Sequence, residues 1–343
     1  MTTQTSAVVP APATVTRISR TAAVGLGVLA LVVFVAPIAP YTLSRGVQGS
    51  LTTLSALIIL ATMWNLIAGY GGMLSVGQQA YVGVGAYGLV MLSDRVGLDP
   101  FMAVPLAVVL AGALAYPISF LAFRLSGGYF AIGTWVIAEA IKLLSEQIPA
   151  LGGGIGLTLH AFSGLSAGRR IAYVYWLALA GTVVVVVLTY LLMRSRLGLG
   201  FTALRDESTA AASLGVDVDS SKRVVFVVAA MGSALAGAII TANTLRVQPE
   251  SIFSVNYSVF MIFMVVIGGI GTIEGPILGA VLFFGLQQWL GDFGAWYLLL
   301  LGVLAVAVTL FAPRGLWGLI SGRRGLRIFP VGYTLTGHRH RDS

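Results

Sequence analysis

Long apolar runs recur along the whole of this chain, and they restrict its fold more than any other feature. An apolar helix of about 20 residues is long enough to cross a hydrocarbon layer about 30 Å thick. Hydrophobic residues make up 57% of the chain and charged residues only 9%, whereas a soluble domain has about 25% charged residues. A membrane barrel is excluded because its strands alternate polar and apolar residues over about 10 positions. The sequence therefore predicts an all-α, polytopic helical membrane protein.

The runs divide the chain into about ten membrane segments, with the N- and C-termini in the cytoplasm. The segments lie at residues 21–40, 51–68, 73–92, 101–121, 129–148, 171–193, 224–245, 257–270, 276–291 and 295–312. The first run follows Arg17 and Arg20 like a signal peptide, but Pro37 and Pro40 make cleavage there unfavourable. We therefore predict a transmembrane domain over 21–320, with cytoplasmic tails over 1–20 and 321–343.

The positions of the positive charges support this orientation. Of the 20 Lys and Arg residues, 14 fall on the predicted inner side and 5 on the outer side, while Lys142 lies inside a segment. Positively charged loops stay in the cytoplasm, so this asymmetry agrees with ten alternating segments. The net charge of +8 thus reflects orientation in the lipid bilayer, and we expect no nucleic-acid partner.

Catalytic and cofactor chemistry finds no support in the sequence. Cysteine is absent, and the three histidines, His160, His338 and His340, do not form a convincing metal site. The Gly-x-x-x-x-Gly-Lys-Ser/Thr pattern of nucleotide-binding loops does not occur, and no Ser–His–Asp set is evident. We therefore expect a chain that is not an enzyme and holds no metal or cofactor.

One stretch departs sharply from the apolar pattern: GYGGMLSVGQQAYVGVGAYG at residues 69–88, with seven glycines, two adjacent glutamines and no charge. Irregular backbone in a membrane is tolerated only where it is buried in protein or lines a cavity, and broken helices often form transport sites. Close helix packing is the alternative, and it accounts for Gly83, Gly85 and Gly88 but not for the glutamines. We favour a substrate pathway, whose candidate residues are Asn65, Ser75, Gln78, Gln79, Tyr81, Tyr129, Glu139 and Thr272.

A second stretch, GGIGTIEGPILGAVLFFG at residues 268–285, echoes the first. Each begins with Gly-Gly, places Ser75 or Thr272 three residues after the second glycine, and continues into a helix of small residues. Paired interruptions in corresponding halves of a transporter indicate a shared central site. A chance similarity between two glycine-rich helices is the alternative.

The fifth segment carries two charges within the membrane. Glu139 and Lys142 are three residues apart and therefore share one face of a helix. A charge at the bilayer centre costs about 3 kcal/mol on insertion scales, so the two side chains should pair or face a wet interior. The pair either neutralises itself and braces the bundle, or lies on the substrate route or at a subunit contact.

Two loops outside the membrane are candidates for contacts with other proteins. The inner stretch 194–223 predicts a short amphipathic helix, which docks either on the protein's own segments or on a separate cytoplasmic protein. The outer loop 149–170 is glycine-rich and is either a flexible connector or a surface for an external partner. The apolar side of the inner helix consists of Phe201, Leu204, Ala211 and Leu214.

Four sequence blocks together resemble the M-type membrane permease of branched-chain amino-acid ABC importers. They are WNLIAGYGGMLSVGQQAYVGVGAY, GGYFAIGTWVIAEAIKLL followed by LGGGIGL, GFTALRDESTAAASLGV, and MVVIGGIGTIEGPILGA, in the family's order over residues 50–320. Two positions depart from the family pattern, since Met73 stands where glutamine is usual and Gln78 where histidine is usual. These departures put the substrate in question, because related importers carry other small polar molecules.

The resemblance implies a heteromeric transporter in the prokaryotic inner membrane. Its other members would be a second, related permease, two cytoplasmic ATPase subunits that bind the ATP, and an external substrate-binding protein. The inner loop would dock on an ATPase subunit through residues that match the family pattern, which are Arg205, Asp206, Glu207, Ala211, Leu214 and Gly215.

The residues by themselves also allow a different transport mechanism. An ion- or proton-coupled secondary transporter of a small polar solute would use Glu139 and Lys142 as its charged groups. Its transport would follow an ion gradient and survive ATP depletion. A membrane enzyme that acts on lipid is a third class, for which no motif is present.

Overall fold

The computed structural model describes residues 14–16, 27, 30, 34–195, 198, 201, 218–293, 295–312, 314–324, 328–329 and 334–336. Its main helices are α1 Arg45–Asn65, α2 Gln79–Val90, α3 Pro100–Ala122, α4 Gly128–Gln147, α5 Ala167–Arg194, α6 Val218–Thr244, α7 Asn256–Gly268, α8 Glu274–Leu290, α9 Ala295–Phe311 and α10 Gly315–Arg324. Short helical turns lie at Ala36–Ile38, Ala39–Thr42, Leu66–Tyr70, Met91–Arg95, Pro149–Leu151, Pro249–Ile252 and Gly291–Phe293.

Four very short strands form two antiparallel ribbons. Strand β1 (Thr14–Thr16) pairs with β4 (Thr334–Thr336), so a piece of the N-terminal tail lies against a piece of the C-terminal tail. Strand β2 (Leu157–Thr158) pairs with β3 (Arg246–Val247) and ties the loop after α4 to the end of α6. These ribbons contain all the strands found in the described part of the chain.

The described residues contain seven helical stretches that are long and apolar enough to cross a membrane, as expected for a polytopic helical membrane protein. They are Arg45–Tyr70, Pro100–Ala122, Gly128–Gln147, Ala167–Arg194, Val218–Thr244, Pro249–Gly268 and Leu299–Gly322. The apolar run 73–92 is not one helix, because its helical part begins only at Gln79. Together with the helical turn Met91–Arg95 that continues it, α2 is about 25 Å long at 1.5 Å per residue, which is somewhat short of a hydrocarbon layer of about 30 Å.

Local sequence explains where several helices start. Ser44 precedes α1, and its hydroxyl accepts a hydrogen bond from the backbone N–H of Val47. Asp99 precedes α3 and accepts from the backbone N–H of Phe101, while Pro100 occupies the first helical position, where no N–H donor is needed. These caps satisfy N–H groups that the helices themselves leave free.

Helix α6 lies at the centre of the bundle and contacts α1, α2, α3 and α5. In its most apolar 18-residue window 67% of the residues are buried, compared with 22% in α4. A Cβ atom on Gly85 would overlap the backbone carbonyl of Ala234, and one on Gly237 would overlap that of Val82. The backbones of α2 and α6 are therefore in direct contact. Close helix packing thus accounts for Gly85 of the 69–88 stretch.

Contacts between helix ends sort these ends into two faces of the molecule. Near the start of α1, the side-chain amide of Asn243 donates to the backbone carbonyl of Gly49, and Gln288 lies 3.5 Å from the hydroxyl of Ser50. The end of α8 is thus on the same face as the start of α1. The start of α8, at Glu274, is on the opposite face together with residues 328–329.

Candidate functional site

The glycine-rich stretch forms a break between α1 and α2. After α1 the backbone makes a wide turn over Leu66–Tyr70 and is then irregular until α2 begins. Gly72 has φ = +67°, a left-handed conformation that favours glycine. Apart from Gly72 and Leu74, the residues between the two helices are buried or half-buried, as irregular backbone in a membrane requires.

Asn65 joins this break to the second glycine-interrupted stretch. Its Nδ2 atom donates to the backbone carbonyl of Thr272 at 2.8 Å, and its Oδ1 atom accepts from the backbone N–H of Gly271 at 2.8 Å. Gly69 leaves the room for this contact, because a Cβ atom there would overlap both the Asn65 side chain and the Gly271 backbone. The two stretches that resemble each other in sequence are therefore bonded to each other.

Thr272 organises the second break. Its hydroxyl donates to the backbone carbonyl of Gly269 at 2.9 Å and accepts from the backbone N–H of Gly275 at 3.0 Å. It thereby satisfies one of the free N–H groups at the start of α8. Gly271 has φ = +76°, so the loop between α7 and α8 depends on glycine at this position.

Ser75 and its neighbours fix the irregular backbone of the first break. The indole N–H of Trp64 donates to the Ser75 carbonyl at 2.8 Å, and the Ser75 hydroxyl accepts from the N–H of Gly77 at 3.3 Å. The hydroxyl of Thr134, on α4, accepts from the N–H of Val76 at 3.1 Å. Backbone groups that would otherwise be unpaired in an apolar layer thus have side-chain partners.

The adjacent glutamines face two different helices. Gln78 Oε1 accepts from the hydroxyl of Ser233 on α6 at 3.2 Å, and Gln79 Oε1 accepts from the hydroxyl of Ser258 on α7. Both glutamine side chains are almost completely buried. Among the described residues the Nε2 group of Gln78 has no hydrogen-bond partner, so one buried donor is available at this point.

Tyr81 lies one helical turn further along α2 and is buried against Phe226, with ring centroids 5.8 Å apart at 87°. A small void of about 10 Å³ separates Tyr81 from Ser75 and Thr134. This volume is at the lower limit for one water molecule. We call the hydrogen-bonded side chains around the first break the polar cluster; they are Ser75, Gln78, Gln79, Thr134, Ser233 and Ser258. The polar cluster is therefore closed in this structure.

Tyr129 and Glu139 occupy a different environment on α4. The Tyr129 side chain is 76% exposed at the start of the helix. Glu139 accepts from Lys142 at 3.4 Å, as the spacing predicts, but Lys142 also forms a shorter ion pair of 2.8 Å with Glu250. The lysine thus braces α4 against the short helix that precedes α7, and no contact with the polar cluster is present in the described residues.

A cavity of about 190 Å³ lies where the starts of α1 and α7 meet the ends of α6 and α8. Its polar groups include the side chains of Thr53, Asn243, Tyr257 and Gln287, and apolar residues such as Leu57 complete the wall. Tyr257 is adjacent in sequence to Ser258, the partner of Gln79. The cavity and the partner of Gln79 therefore lie at the same level of α7, although Ser258 is not among the lining residues.

The six residues predicted to dock on an ATPase lie outside the described part of the chain, as do Leu204 and the rest of the inner loop between 202 and 217. Of the predicted apolar side, Phe201 is described and is completely buried. No group of three or more His, Asp or Glu side chains is placed to hold a metal ion within the described residues.

Sequence reasoning missed several partners in the cluster, namely Trp64, Thr134, Ser233, Ser258 and Glu250. Ser233 and Ser258 are single hydroxyls in apolar helices, which is a weak signal, since such groups also bond to their own helix. Nothing local marks Glu250 as a partner of Lys142, because the two residues lie on different helices.

Comparison with known proteins identifies the family of this chain. A family described as the permease component of the branched-chain amino acid transport system matches residues 46–312. The high-affinity branched-chain amino acid transport system permease protein LivM of Escherichia coli is 30% identical over 303 residues, which cover 81% of this chain and 71% of that protein.

The chain belongs to this permease family.

More distant relatives agree with this assignment. The permease protein BraD of Pseudomonas aeruginosa is 28% identical, covering 78% of this chain and 93% of that protein. A probable LivM of Methanocaldococcus jannaschii is 21% identical, covering 72% and 80%. No solved structure matches the chain. Family membership and the seven described helices that are long and apolar enough to span a membrane make this permease a multi-pass protein of the inner membrane.

Proposed function

We propose that this permease forms, with a sister permease, the translocation pathway of an ABC importer for branched-chain or related small amino acids. The observation that carries the proposal is that hydrogen bonds join the two breaks. The Asn65 side chain binds the backbone of Gly271 and Thr272 and so holds the second break beside the glycine-rich turn. Paired discontinuous helices of this kind form substrate sites near the middle of transporter membranes. The family to which the chain belongs supports the transport system and the substrate class.

The pathway residues in this proposal are Asn65, Ser75, Gln78, Gln79, Tyr81 and Thr272, with Tyr129 and Glu139 at its margin on α4. The outer cavity leads substrate toward Gln79 by way of Tyr257 and Ser258. The unpaired Nε2 group of Gln78 offers a hydrogen bond to a carboxylate or carbonyl oxygen of a passing substrate. Because the cluster is closed here, helix motion must open it during transport.

The topology in this proposal has ten membrane segments and both termini in the cytoplasm. The domain over 21–320 spans the membrane, and the tails over 1–20 and 321–343 are cytoplasmic. The two faces of the bundle support it, since the helix ends that meet at Gly49 are those predicted outside and the ends near Glu274 are those predicted inside. The surplus of positive charge on the predicted inner side agrees.

The energy source in this proposal is ATP that two separate cytoplasmic subunits bind, and this chain has no cofactor of its own. The inner loop docks on an ATPase subunit through Arg205, Asp206, Glu207, Ala211, Leu214 and Gly215. An external binding protein delivers substrate to the outer face, where β2 and β3 tie the loop 149–170 to the end of α6. The ribbon holds this part of the loop against the bundle, as a surface for an external partner requires.

Reconstitution tests the proposed function directly. Proteoliposomes containing this permease, a sister permease and two ATPase subunits are expected to take up leucine only with ATP inside and a binding protein outside. The permease alone is the control and should show no uptake. Uptake by the permease alone, driven by an ion gradient and abolished by Glu139→Gln, would instead establish the secondary-transporter mechanism.

Substitutions in the inner loop test the docking assignment in the same complex. Glu207→Lys reverses a charge and Gly215→Leu adds bulk on the proposed contact surface. Each should therefore lower ATP-driven uptake by about tenfold or more, a factor equivalent to about 1.4 kcal/mol of lost docking energy. Membrane insertion of both variants should match the wild type on an immunoblot of the membrane fraction. Normal uptake by both variants would show that the loop is not the docking site.

A further inference from the structure

Glu274 receives two hydrogen bonds that the transport pathway does not explain. Its Oε1 atom accepts from the backbone N–H of Ile328 at 2.9 Å and from that of Phe329 at 2.8 Å. The carboxylate belongs to the first turn of α8, directly after the second break, and the residue is only 9% exposed. The donors come from the C-terminal tail, 54 and 55 positions away in sequence.

These bonds are stronger than an ordinary acidic residue at a helix start would make. An ionised carboxylate that accepts from two N–H groups forms charge-assisted hydrogen bonds, which are about twice as strong as neutral ones. A buried carboxylate without such donors is costly, because it loses its hydration. Glu274 and the tail segment 328–329 therefore hold each other in place.

The tail segment is also attached to the end of α5. The Phe329 side chain is 8% exposed and its ring lies 5.6 Å from that of Tyr190. The hydroxyl of Tyr190 accepts a hydrogen bond of 2.8 Å from Arg194, the last residue of α5. One short piece of tail thus contacts both the second break and the helix that leads into the inner loop.

We propose that residues 328–329 are a latch, and that Glu274 is a positioning residue that makes the second break move together with the cytoplasmic end of α5. Movement of the inner loop reaches the break through Tyr190, the latch and Glu274. The break in turn carries Thr272, which is bonded to Asn65 in the pathway. The inference rests on the proposed function, since it assigns the latch to the coupling between ATP hydrolysis and the pathway.

A pair of substitutions at one tail position isolates the backbone donor. Ile328→Pro deletes the backbone N–H that donates a hydrogen bond to Glu274, whereas Ile328→Ala keeps this N–H and serves as the matched control. In the reconstituted complex, Ile328→Pro and Glu274→Ala should each lower leucine uptake per ATP hydrolysed by about tenfold, the loss expected when hydrogen bonds to a charged group are removed. Glu274→Gln retains the Oε1 acceptor and should fall between Glu274→Ala and the wild type.

The ratio of uptake to hydrolysis separates positioning from simple stability. A destabilised complex loses uptake and ATPase activity in proportion, so its ratio stays constant. A released latch leaves the ATPase active and lowers the ratio. An unchanged ratio in Ile328→Pro and Glu274→Ala, in a wild-type background that transports, would overturn the latch and leave the proposed function intact. A wild-type complex that does not transport would instead overturn the proposed function.

Cysteine labelling tests the docking itself, without any transport assay. The chain contains no cysteine, so Ile328→Cys introduces a unique thiol beside the latch bonds. Its reaction with a maleimide in the purified full-length protein should be slow, and adding Glu274→Ala should accelerate it by about tenfold, because two bonds to a charged group are lost. Equal labelling rates with and without Glu274→Ala would show that the tail is not held by this carboxylate.

Discussion

Two neighbouring glutamines show how single residues are used at the centre of this permease. Gln78 meets Ser233 on α6 and Gln79 meets Ser258 on α7, so adjacent side chains connect α2 to two separate helices. Each amide is buried and satisfied on its oxygen, while the nitrogen of Gln78 has no described partner. A residue with a spare donor in a closed cluster is suited to bind a substrate oxygen when the cluster opens.

The first prediction concerns these glutamines. Gln78→Ala and Gln79→Ala should each raise the KM for leucine or lower the maximal uptake rate by about tenfold, the effect of losing one substrate hydrogen bond. Uptake is measured in the reconstituted complex. Gln288→Ala is the matched control, because that side chain is exposed at the end of α8 and should leave uptake unchanged. Unchanged uptake in both test variants would favour a packing role for the stretch.

The second prediction concerns Asn65. Replacing it with alanine removes the 2.8 Å partner of both the Gly271 N–H and the Thr272 carbonyl. Both groups are half-buried, and an orphaned buried group costs about 1–3 kcal/mol, so the two together should cost an amount of this order. Asn65→Ala should therefore lower the melting temperature of the detergent-purified protein clearly. Asn243→Ala is the control and should cost less, because its bonds are 3.3 and 3.4 Å long. Equal melting temperatures for Asn65→Ala and the wild type would contradict the bridge.

At the scale of elements, the decisive feature is how closely α2 and α6 approach. Gly85 and Gly237 each face a backbone carbonyl of the other helix, so no side chain separates the two backbones there. In a membrane the hydrophobic effect does not drive helices together, and close van der Waals contact takes its place. The glycines around the first break therefore serve two purposes, since some permit the turn and others permit the contact.

The third prediction tests this contact. Gly237→Ala should destabilise the protein by about 1–3 kcal/mol, because its methyl group would overlap the Val82 carbonyl in a packed core. The measurement is thermal unfolding in detergent, with Gly285→Ala as the control. Nothing lies within 4 Å of a Cβ atom at Gly285, so that variant should be as stable as the wild type or more so. Similar stability of the two variants would show that α2 and α6 are further apart than the structure indicates.

At the scale of the whole molecule, contacts at the ends of α1, α6 and α8 define two faces without reference to charge. The fourth prediction follows from the topology and uses the absence of native cysteine. A membrane-impermeant maleimide applied to intact cells should label Ser163→Cys, in the outer loop, but not Ser126→Cys, between α3 and α4. Both positions are exposed, so both should react after permeabilisation. Labelling of Ser126→Cys in intact cells would reverse the proposed orientation.

The sequence by itself determined the class, the positions of the seven apolar helices that are long enough to cross a membrane, and the place of the break. Membrane thickness requires apolar runs of a given length, and unpaired backbone in lipid is costly, so both requirements are visible in consecutive residues. The Glu139–Lys142 pair was equally predictable, because residues three apart on a helix are neighbours. The run 73–92 was predicted as one segment, yet only its second part is helical.

Only the tertiary structure decided which residues meet across the bundle. Gln78 and Ser233 are 155 positions apart, and Asn65 and Thr272 are 207 apart, so no local pattern pairs them. The ion pair of Lys142 with Glu250 and the hydrogen bonds of Glu274 with the C-terminal tail also join residues that are far apart in sequence, so no local pattern predicts them. Helix rotation and crossing are set by the packing of many side chains at once, whereas helix position along the chain is set by the hydropathy of each run alone.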